Sequence, residues 1–104
     1  MWEEIVKSYT DHPREVCSQP ITKRPGHWFS VYVEDGNLYV DCAKEHKPSS
    51  QLTKRRMLSA DAEKCNIVFD LYCRRKRGEQ VSAEATATTV NQIYWYGIFA
   101  DMGY

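Results

Sequence analysis

An alternating stretch between residues 28 and 43 is the feature that most restricts how this chain can fold. Two runs of alternating apolar and polar residues flank Asp35-Gly36, a pair that favours a two-residue type I′ turn because glycine tolerates positive φ. With this pair as the loop, Tyr32 lies opposite Tyr39, and one face of the predicted hairpin is apolar. That face must pack on other elements, since an isolated hairpin is only marginally stable. Its residues are Phe29, Val31, Val33, Leu38, Val40 and Cys42.

The first 27 residues predict a helical turn followed by a loop. Between residues 2 and 9, apolar side chains recur at the spacing of one helix face, at Trp2, Ile5, Val6 and Tyr9. Three of the four prolines lie between residues 11 and 27. They predict an irregular loop with a short extended piece near Ile21.

Residues 44–53 predict a polar linker, and residues 57–102 predict a helical region. Its first helix has Ser59 as the expected N-cap, with Asp61 and Glu63 in the first turn, where acids complement the helix dipole. The helix ends at Arg74–Arg77 and Gly78. At 104 residues, the chain is expected to form one α+β domain (1–104). We expect its antiparallel hairpin to pack against two or three C-terminal helices and a short N-terminal helix.

Residues 82–102 predict either two helices or one. Ser82 is a candidate N-cap for a short helix over residues 83–88, and Asn91 is a candidate N-cap for a helix that runs through Met102. Thr89-Val90-Asn91 is then the turn, with Val90 dipping into the core. The buried side of the second helix would comprise Trp95, Ile98, Phe99 and Met102. The alternative is one continuous helix over residues 82–101 whose aromatic residues belong to the core.

In spacing, residues 82–102 resemble the helix-turn-helix superfamily. The segment departs from that motif at Thr89, where glycine is usual, and at Trp95, which is bulkier than the usual valine or isoleucine. The resemblance implies DNA binding in which Asn91, Gln92 and Tyr94 face the major groove. Asparagine and glutamine suit bidentate contact with adenine, and tyrosine suits phosphate. It also implies that a homodimer is plausible, because such proteins often bind paired half-sites.

Positive charge is concentrated in one part of the chain, although the formal net charge is zero. Residues 53–78 contain eight Lys or Arg residues and three acids, a net charge of +5. Such a patch can bind phosphate or an acidic protein partner. For residues 74–77, the alternative is a solvated helix end whose cations complement the dipole. The candidate phosphate contacts are Lys54, Arg55, Arg56, Arg74, Arg75, Lys76 and Arg77.

The polar face of the predicted hairpin carries three aromatic residues, Trp28, Tyr32 and Tyr39. Exposed aromatic side chains can stack on bases or form a protein contact. The alternative is that the two tyrosines only stabilise the hairpin as a cross-strand pair. The sequence therefore predicts a non-enzymatic nucleic-acid-binding protein first. A protein-interaction adaptor or inhibitor that uses the aromatic residues and the basic patch is the alternative.

Cysteine and histidine positions bear on compartment, metal and catalysis. The four cysteines are expected to be free thiols in the cytoplasm, because the chain opens without a signal-peptide pattern. Cys42 with His46 and Cys17 with His27 are the candidate metal pairs. The lack of Cys-x-x-Cys and His-x-x-x-His spacing predicts no metal site. We also expect no cofactor, no membrane span and no enzymatic activity, since no apolar run or catalytic motif of the known kinds occurs.

Overall fold

The fold was determined from a computed structural model, which describes residues 1–20, 25–46 and 52–104. The extended piece expected near Ile21 and residues 47–51 of the expected linker lie outside the described residues. The elements are α1 (Trp2–Asp11), β1 (Arg14–Cys17), β2 (Trp28–Glu34), β3 (Asn37–Cys42), β4 (Arg56–Met57), a 3-10 helix (Leu58–Lys64), α2 (Cys65–Lys76), α3 (Ser82–Thr88) and α4 (Gln92–Asp101). The chain therefore has the predicted α+β class.

The four strands form one antiparallel sheet in the order β1-β2-β3-β4. The register predicted for the hairpin is confirmed, with Tyr32 opposite Tyr39 and Glu34 opposite Asn37. Asp35 and Gly36 both have positive φ, at 53° and 79°, as a type I′ turn requires. Within the predicted apolar face, four side chains are fully buried, and Cys42 at the strand end is exposed.

The prediction that residues 11–27 form only a loop is wrong, because Arg14–Cys17 is a strand. It pairs antiparallel with β2, placing Val16 opposite Phe29. Both of these side chains are buried, at 2% and 1% exposed. Four residues next to prolines give too short an alternation to be recognised alone. Their pairing with β2 defines the strand.

The buried apolar side chains of the described residues, Ala43 excepted, form one cluster. The apolar face of the sheet packs against α1, the 3-10 helix and α4. Leu52 is 2% exposed and joins this cluster, so the end of the expected polar linker is part of the core. The predicted N-terminal helix is confirmed, and it ends at Asp11, just before His12-Pro13.

The helix expected to begin at Ser59 begins later, at Cys65, after a 3-10 helix. Ser59 does not cap it. Its hydroxyl accepts the backbone N–H of Leu38 on β3, at 2.8 Å. Asp61 does not lie in the first turn of α2 either, since it belongs to the 3-10 helix, and its side chain is only 8% exposed. The prediction failed because both side chains bond to residues distant in sequence.

Two separate helices occupy residues 82–101, so the alternative of one continuous helix is wrong. The helices are separated at Thr89–Asn91, as the two-helix prediction requires. Val90 does not dip into the core, however, because it is 77% exposed. Six consecutive residues of α4, from Tyr94 to Phe99, are buried. A helix buried on all sides is a core helix rather than one with a free face.

Candidate interaction surface on the outer face of the sheet

The candidate site is the side of the sheet opposite the apolar core, called here the outer face. Strand alternation and the pairing register place on it side chains from all four strands. These are Glu15, Cys17, Trp28, Ser30, Tyr32, Tyr39, Asp41 and Met57. Most are half-buried, whereas the corresponding core-facing positions near the middle of the sheet are fully buried.

Two tyrosines form the centre of this surface. The rings of Tyr32 and Tyr39 stack with centroids 5.7 Å apart and planes inclined by 25°. The guanidinium of Arg55 lies over the Tyr39 ring, with its Cζ 4.1 Å from the centroid. The same guanidinium donates to the Tyr32 hydroxyl, at 3.5 Å, and forms an ion pair with Glu34. We call Tyr32, Tyr39 and Arg55 the aromatic platform.

Met57 extends the platform on strand β4. It is paired with Tyr39 in the sheet register and is 42% exposed. An exposed methionine beside two tyrosines and an arginine has the composition of a protein-interface core. Sequence reasoning missed Met57 and Arg55 as members of this surface. Strand β4 has only two residues, so no alternation signals it.

A cavity opens beside Tyr32. Its volume is about 340 Å³, and its wall includes Ser30, Tyr32 and the carboxylates of Glu15, Asp41 and Glu45. The Tyr32 hydroxyl donates to Asp41, at 3.2 Å, which helps to fix the orientation of the Tyr32 ring within the platform. Lys44 and Arg14 also line the cavity, but Arg14 is paired with Asp101 at 2.7 Å. Glu15 is likewise engaged, by the turn after β3, so Asp41 and Glu45 face the single remaining cation of the wall, Lys44.

One carboxylate fastens the turn that follows β3 to the outer face. Glu15 accepts the backbone N–H groups of Lys44, Glu45 and His46 at 2.8–2.9 Å. Its carboxylate also pairs with the His46 ring at 2.8 Å, and that ring stacks on Trp28 with centroids 3.8 Å apart. Burial raises the pKa of Glu15, but the hydrogen bonds outweigh it and lower the pKa to about 2. Trp28 is thus covered in part by His46.

Two of the four cations in the basic run at the end of α2, Arg74 and Arg77, form ion pairs within the chain. Arg74 makes a bidentate contact with Glu84, at 2.7 and 2.9 Å, and a second contact with Glu79 at 3.1 Å. Arg77 also pairs with Glu79, at 3.3 Å. Lys76 donates to the Tyr104 carbonyl. These contacts favour the interpretation of Arg74 and Arg77 as part of a helix end with its own counter-ions.

The second basic run lies at β4, next to the outer face. Arg55 belongs to the platform, and Lys54 is exposed. The Arg56 side chain lies on the opposite side of the sheet from the platform. It donates to the Asn91 side chain at 3.2 Å and lies over the Tyr94 ring, with its Cζ 5.5 Å from the centroid. The run is therefore divided between two sides of the sheet.

Two of the three predicted base-reading residues, Asn91 and Tyr94, are held by contacts inside the fold. Asn91 donates to Asp61 at 3.0 Å and accepts from Arg56. Tyr94 is 5% exposed and packs edge-on against Phe29, with centroids 5.2 Å apart. The Gln92 side-chain oxygen is buried without a hydrogen-bond partner among the described residues. Tyr94 is therefore a core residue in this structure and does not present its hydroxyl to a groove.

The candidate metal pairs do not gain further ligands in the fold. Among residues 1–20, 25–46 and 52–104, no three His, Cys, Asp or Glu side chains are grouped so that they could hold a metal ion. Cys17, Cys42, Cys65 and Cys73 are all free thiols. Burial raises the pKa of the Cys17 and Cys65 thiols, which keeps them protonated at neutral pH.

Comparison with known proteins gives no family for this chain. It matches no protein-family model, no curated protein and no solved structure at a significant level of similarity. In the part of the chain that the structure describes, every helix is too short or too polar to span a membrane.

Proposed function

We propose that this protein is a non-enzymatic protein-interaction module that binds its partner on the outer face of the sheet. The observation that carries the proposal is the aromatic platform of Tyr32, Tyr39 and Arg55 beside an acidic cavity. Tyrosine and arginine are among the residues that dominate binding energy at interfaces. They are also held in place before binding, which lowers the entropy lost on association.

The partner's chemistry follows from the charges on this face. Arg55 is already paired with Glu34, so the platform itself presents little net charge. The neighbouring cavity is lined by three carboxylates. We therefore propose a partner segment that packs an apolar or aromatic side chain on the platform and places a Lys or Arg in the cavity. This revises the sequence-based expectation of an acidic partner, because three arginines of the predicted patch, Arg55, Arg74 and Arg77, are ion-paired within the chain.

Nucleic-acid binding is the second candidate. In its favour, Lys54 lies next to a platform whose tyrosines could stack on bases. The break between α3 and α4 also falls where the helix-turn-helix resemblance requires it. Against it, Arg74 and Arg77 are engaged by acids and Tyr94 is buried. The nucleic-acid contacts expected from the sequence at Asn91, Gln92 and the two basic runs stay predictions.

A selection from a random peptide display library tests the proposal and defines the partner's binding motif at the same time. Peptides selected on the wild-type protein should share a basic residue beside an aromatic or aliphatic one. They should bind at least about tenfold more weakly to Tyr39→Ala and to Met57→Ser, since each removes part of the platform. The matched control is Ile67→Ser, which removes an apolar side chain that is 55% exposed but lies on α2 rather than on the sheet.

Peptides that bind Tyr39→Ala, Met57→Ser and the wild type equally well would contradict the proposal. The thermal midpoint of each variant checks that the loss is not unfolding. Of the two variants, Met57→Ser should disturb the fold least, because the Met57 side chain is partly exposed at a sheet edge.

We propose the cytoplasm as the location, supported by four thiols that remain unpaired, since free thiols persist in reducing compartments. A homodimer stays a prediction of the helix-turn-helix resemblance, and the proposed binding mode does not require one.

A further inference from the structure

A second and larger cavity lies on the core side of the sheet, away from the aromatic platform. Its volume is about 650 Å³, within the range of pockets that hold small organic molecules. It is bounded by the residues that follow β1, the beginning of β2, the end of α2, and parts of α3 and α4. Nothing in the proposed protein-binding mode uses it.

Two residues of the cavity wall carry buried polar atoms that lack partners. The Tyr96 hydroxyl and the Gln92 side-chain oxygen have no hydrogen-bond partner among the described residues, and both residues line this cavity. Tyr96 is 5% exposed. An unpaired buried polar group is costly and uncommon, and it calls for a specific physical cause. A ligand that accepts a hydrogen bond from the Tyr96 hydroxyl is one such cause.

Arg75 gives the cavity a positive charge. Its guanidinium lies over the Tyr96 ring, with its Cζ 4.8 Å from the centroid, and donates to the Gln19 carbonyl. Unlike Arg74 and Arg77, it has no carboxylate within 4.0 Å among the described residues. The nine remaining residues of the chain, 21–24 and 47–51, include no Asp or Glu. The charge of Arg75 is therefore not neutralised by an ion pair within this chain.

The protonation state of the Tyr96 hydroxyl allows it to donate a hydrogen bond. Burial raises its pKa, and the nearby Arg75 offsets part of that rise. The hydroxyl is thus protonated at neutral pH and can donate to an anionic or carbonyl oxygen. The rest of the wall is mixed: Phe29, Val81 and Ile93 are apolar, whereas its polar residues include Glu79, whose carboxylate is already paired with Arg74 and Arg77.

We propose that this cavity binds a small organic carboxylate with an apolar, ring-sized body. The carboxylate would pair with Arg75, whose planar guanidinium matches carboxylate geometry. The apolar body would lie against Phe29, Val81 and Ile93. The Tyr96 hydroxyl would donate a hydrogen bond to the same carboxylate.

The test is an NMR titration of the full chain with 2-naphthoate and with its neutral isostere 2-naphthamide. We expect saturable shifts at the backbone amides of Val81, Ile93 and Tyr96 with naphthoate. Naphthamide should bind at least about tenfold more weakly, because it cannot form the charge-assisted contact with Arg75. The same contact predicts at least about a tenfold loss of naphthoate affinity in Arg75→Gln.

Two further variants separate binding inside the cavity from general attraction to the basic end of α2. Arg77→Gln is the matched control, since it removes a neighbouring cation that does not line the cavity, and it should change naphthoate affinity by less than about twofold. Tyr96→Phe keeps the ring and removes the hydroxyl, so it should weaken naphthoate binding while the protein stays folded. The proposal is overturned by an absence of saturable shifts, by equal binding of acid and amide, or by equal losses in the Arg75 and Arg77 variants.

Discussion

Asp61 accepts a hydrogen bond from the Thr89 hydroxyl, at 2.6 Å, and so joins the 3-10 helix to the turn between α3 and α4. The same carboxylate oxygen accepts the side-chain N–H groups of Asn91 and Trp95, at 3.0 and 3.3 Å. Burial raises the pKa of Asp61, but these hydrogen bonds outweigh it, and the net pKa lies below the ordinary value. A buried charge with three donors fixes where α4 begins.

Asp61→Asn should lower the free energy of unfolding by about 2–3 kcal/mol, because three buried donors then share a neutral amide oxygen in place of a charged carboxylate oxygen. Urea denaturation at neutral pH, followed by tryptophan fluorescence, measures this. The matched control is Asp70→Asn, whose side chain is 68% exposed and whose replacement should change stability by less than about 0.5 kcal/mol.

The contribution of Asp61 should also depend on pH. Because its pKa is lower in the folded state, the stabilisation is present above the ordinary value of 3.8 and is lost as the pH falls through the folded-state pKa. The stability difference between wild type and Asp61→Asn should therefore narrow below about pH 4. A difference that stays constant down to pH 2 would show that the carboxylate is not the stabilising group.

Gly97 allows α4 to lie close to the sheet. A Cβ at this position would be 2.9 Å from the Phe29 ring and 3.1 Å from the Cys17 carbonyl oxygen. Gly97→Ala should therefore destabilise the protein by about 1–2 kcal/mol, although alanine is the better helix former. Chemical denaturation tests this, and a variant more stable than wild type would mean that α4 sits farther from the sheet.

Glu15→Gln should release the turn at residues 44–46 from the sheet. Their backbone N–H groups would lose a charged acceptor, so we expect their hydrogen exchange to accelerate at least about tenfold. In the wild type, the same release should occur as the pH falls from about 4.5 toward 2, because the folded-state pKa of Glu15 is about 2. The control is Glu45→Gln, which should leave the exchange rates of these amides unchanged.

The nucleic-acid alternative makes a separate prediction about salt. Six or more phosphate contacts would reduce affinity by about a thousandfold or more between roughly 50 and 200 mM salt. Because Arg74 and Arg77 are ion-paired, we expect no such slope in fluorescence anisotropy with a labelled random duplex. A steep slope that flattens in the double variant Arg75→Ala with Arg77→Ala would favour nucleic-acid binding.

The parts of the fold that could be predicted are those set by local pattern. The hairpin register follows from strict alternation around Asp35-Gly36, and the N-terminal helix follows from one apolar stripe. Strands β1 and β4 were missed because four and two residues carry no usable periodicity, and only pairing with β2 and β3 defines them.

Only part of the candidate site could be predicted, again because a two-residue strand has no recognisable pattern. Tyr32 and Tyr39 are recognisable as a cross-strand pair, but Arg55 and Met57 join them only through β4. Charge counting also overstated the basic patch, because Glu79 and Glu84 lie outside residues 53–78 in sequence yet meet Arg74 in space. Contacts between residues distant in sequence decide both which residues form the platform and how much of the basic patch is neutralised.

The most direct test of the proposed function is the affinity of the strongest library-selected peptide, measured by fluorescence anisotropy for wild type and Tyr39→Ala at roughly 50 and 200 mM salt. We predict a loss of at least about tenfold in the variant, and a salt effect of about fivefold or less, since one ion pair in the cavity is screened only modestly. Equal affinity for a folded Tyr39→Ala protein would contradict the account.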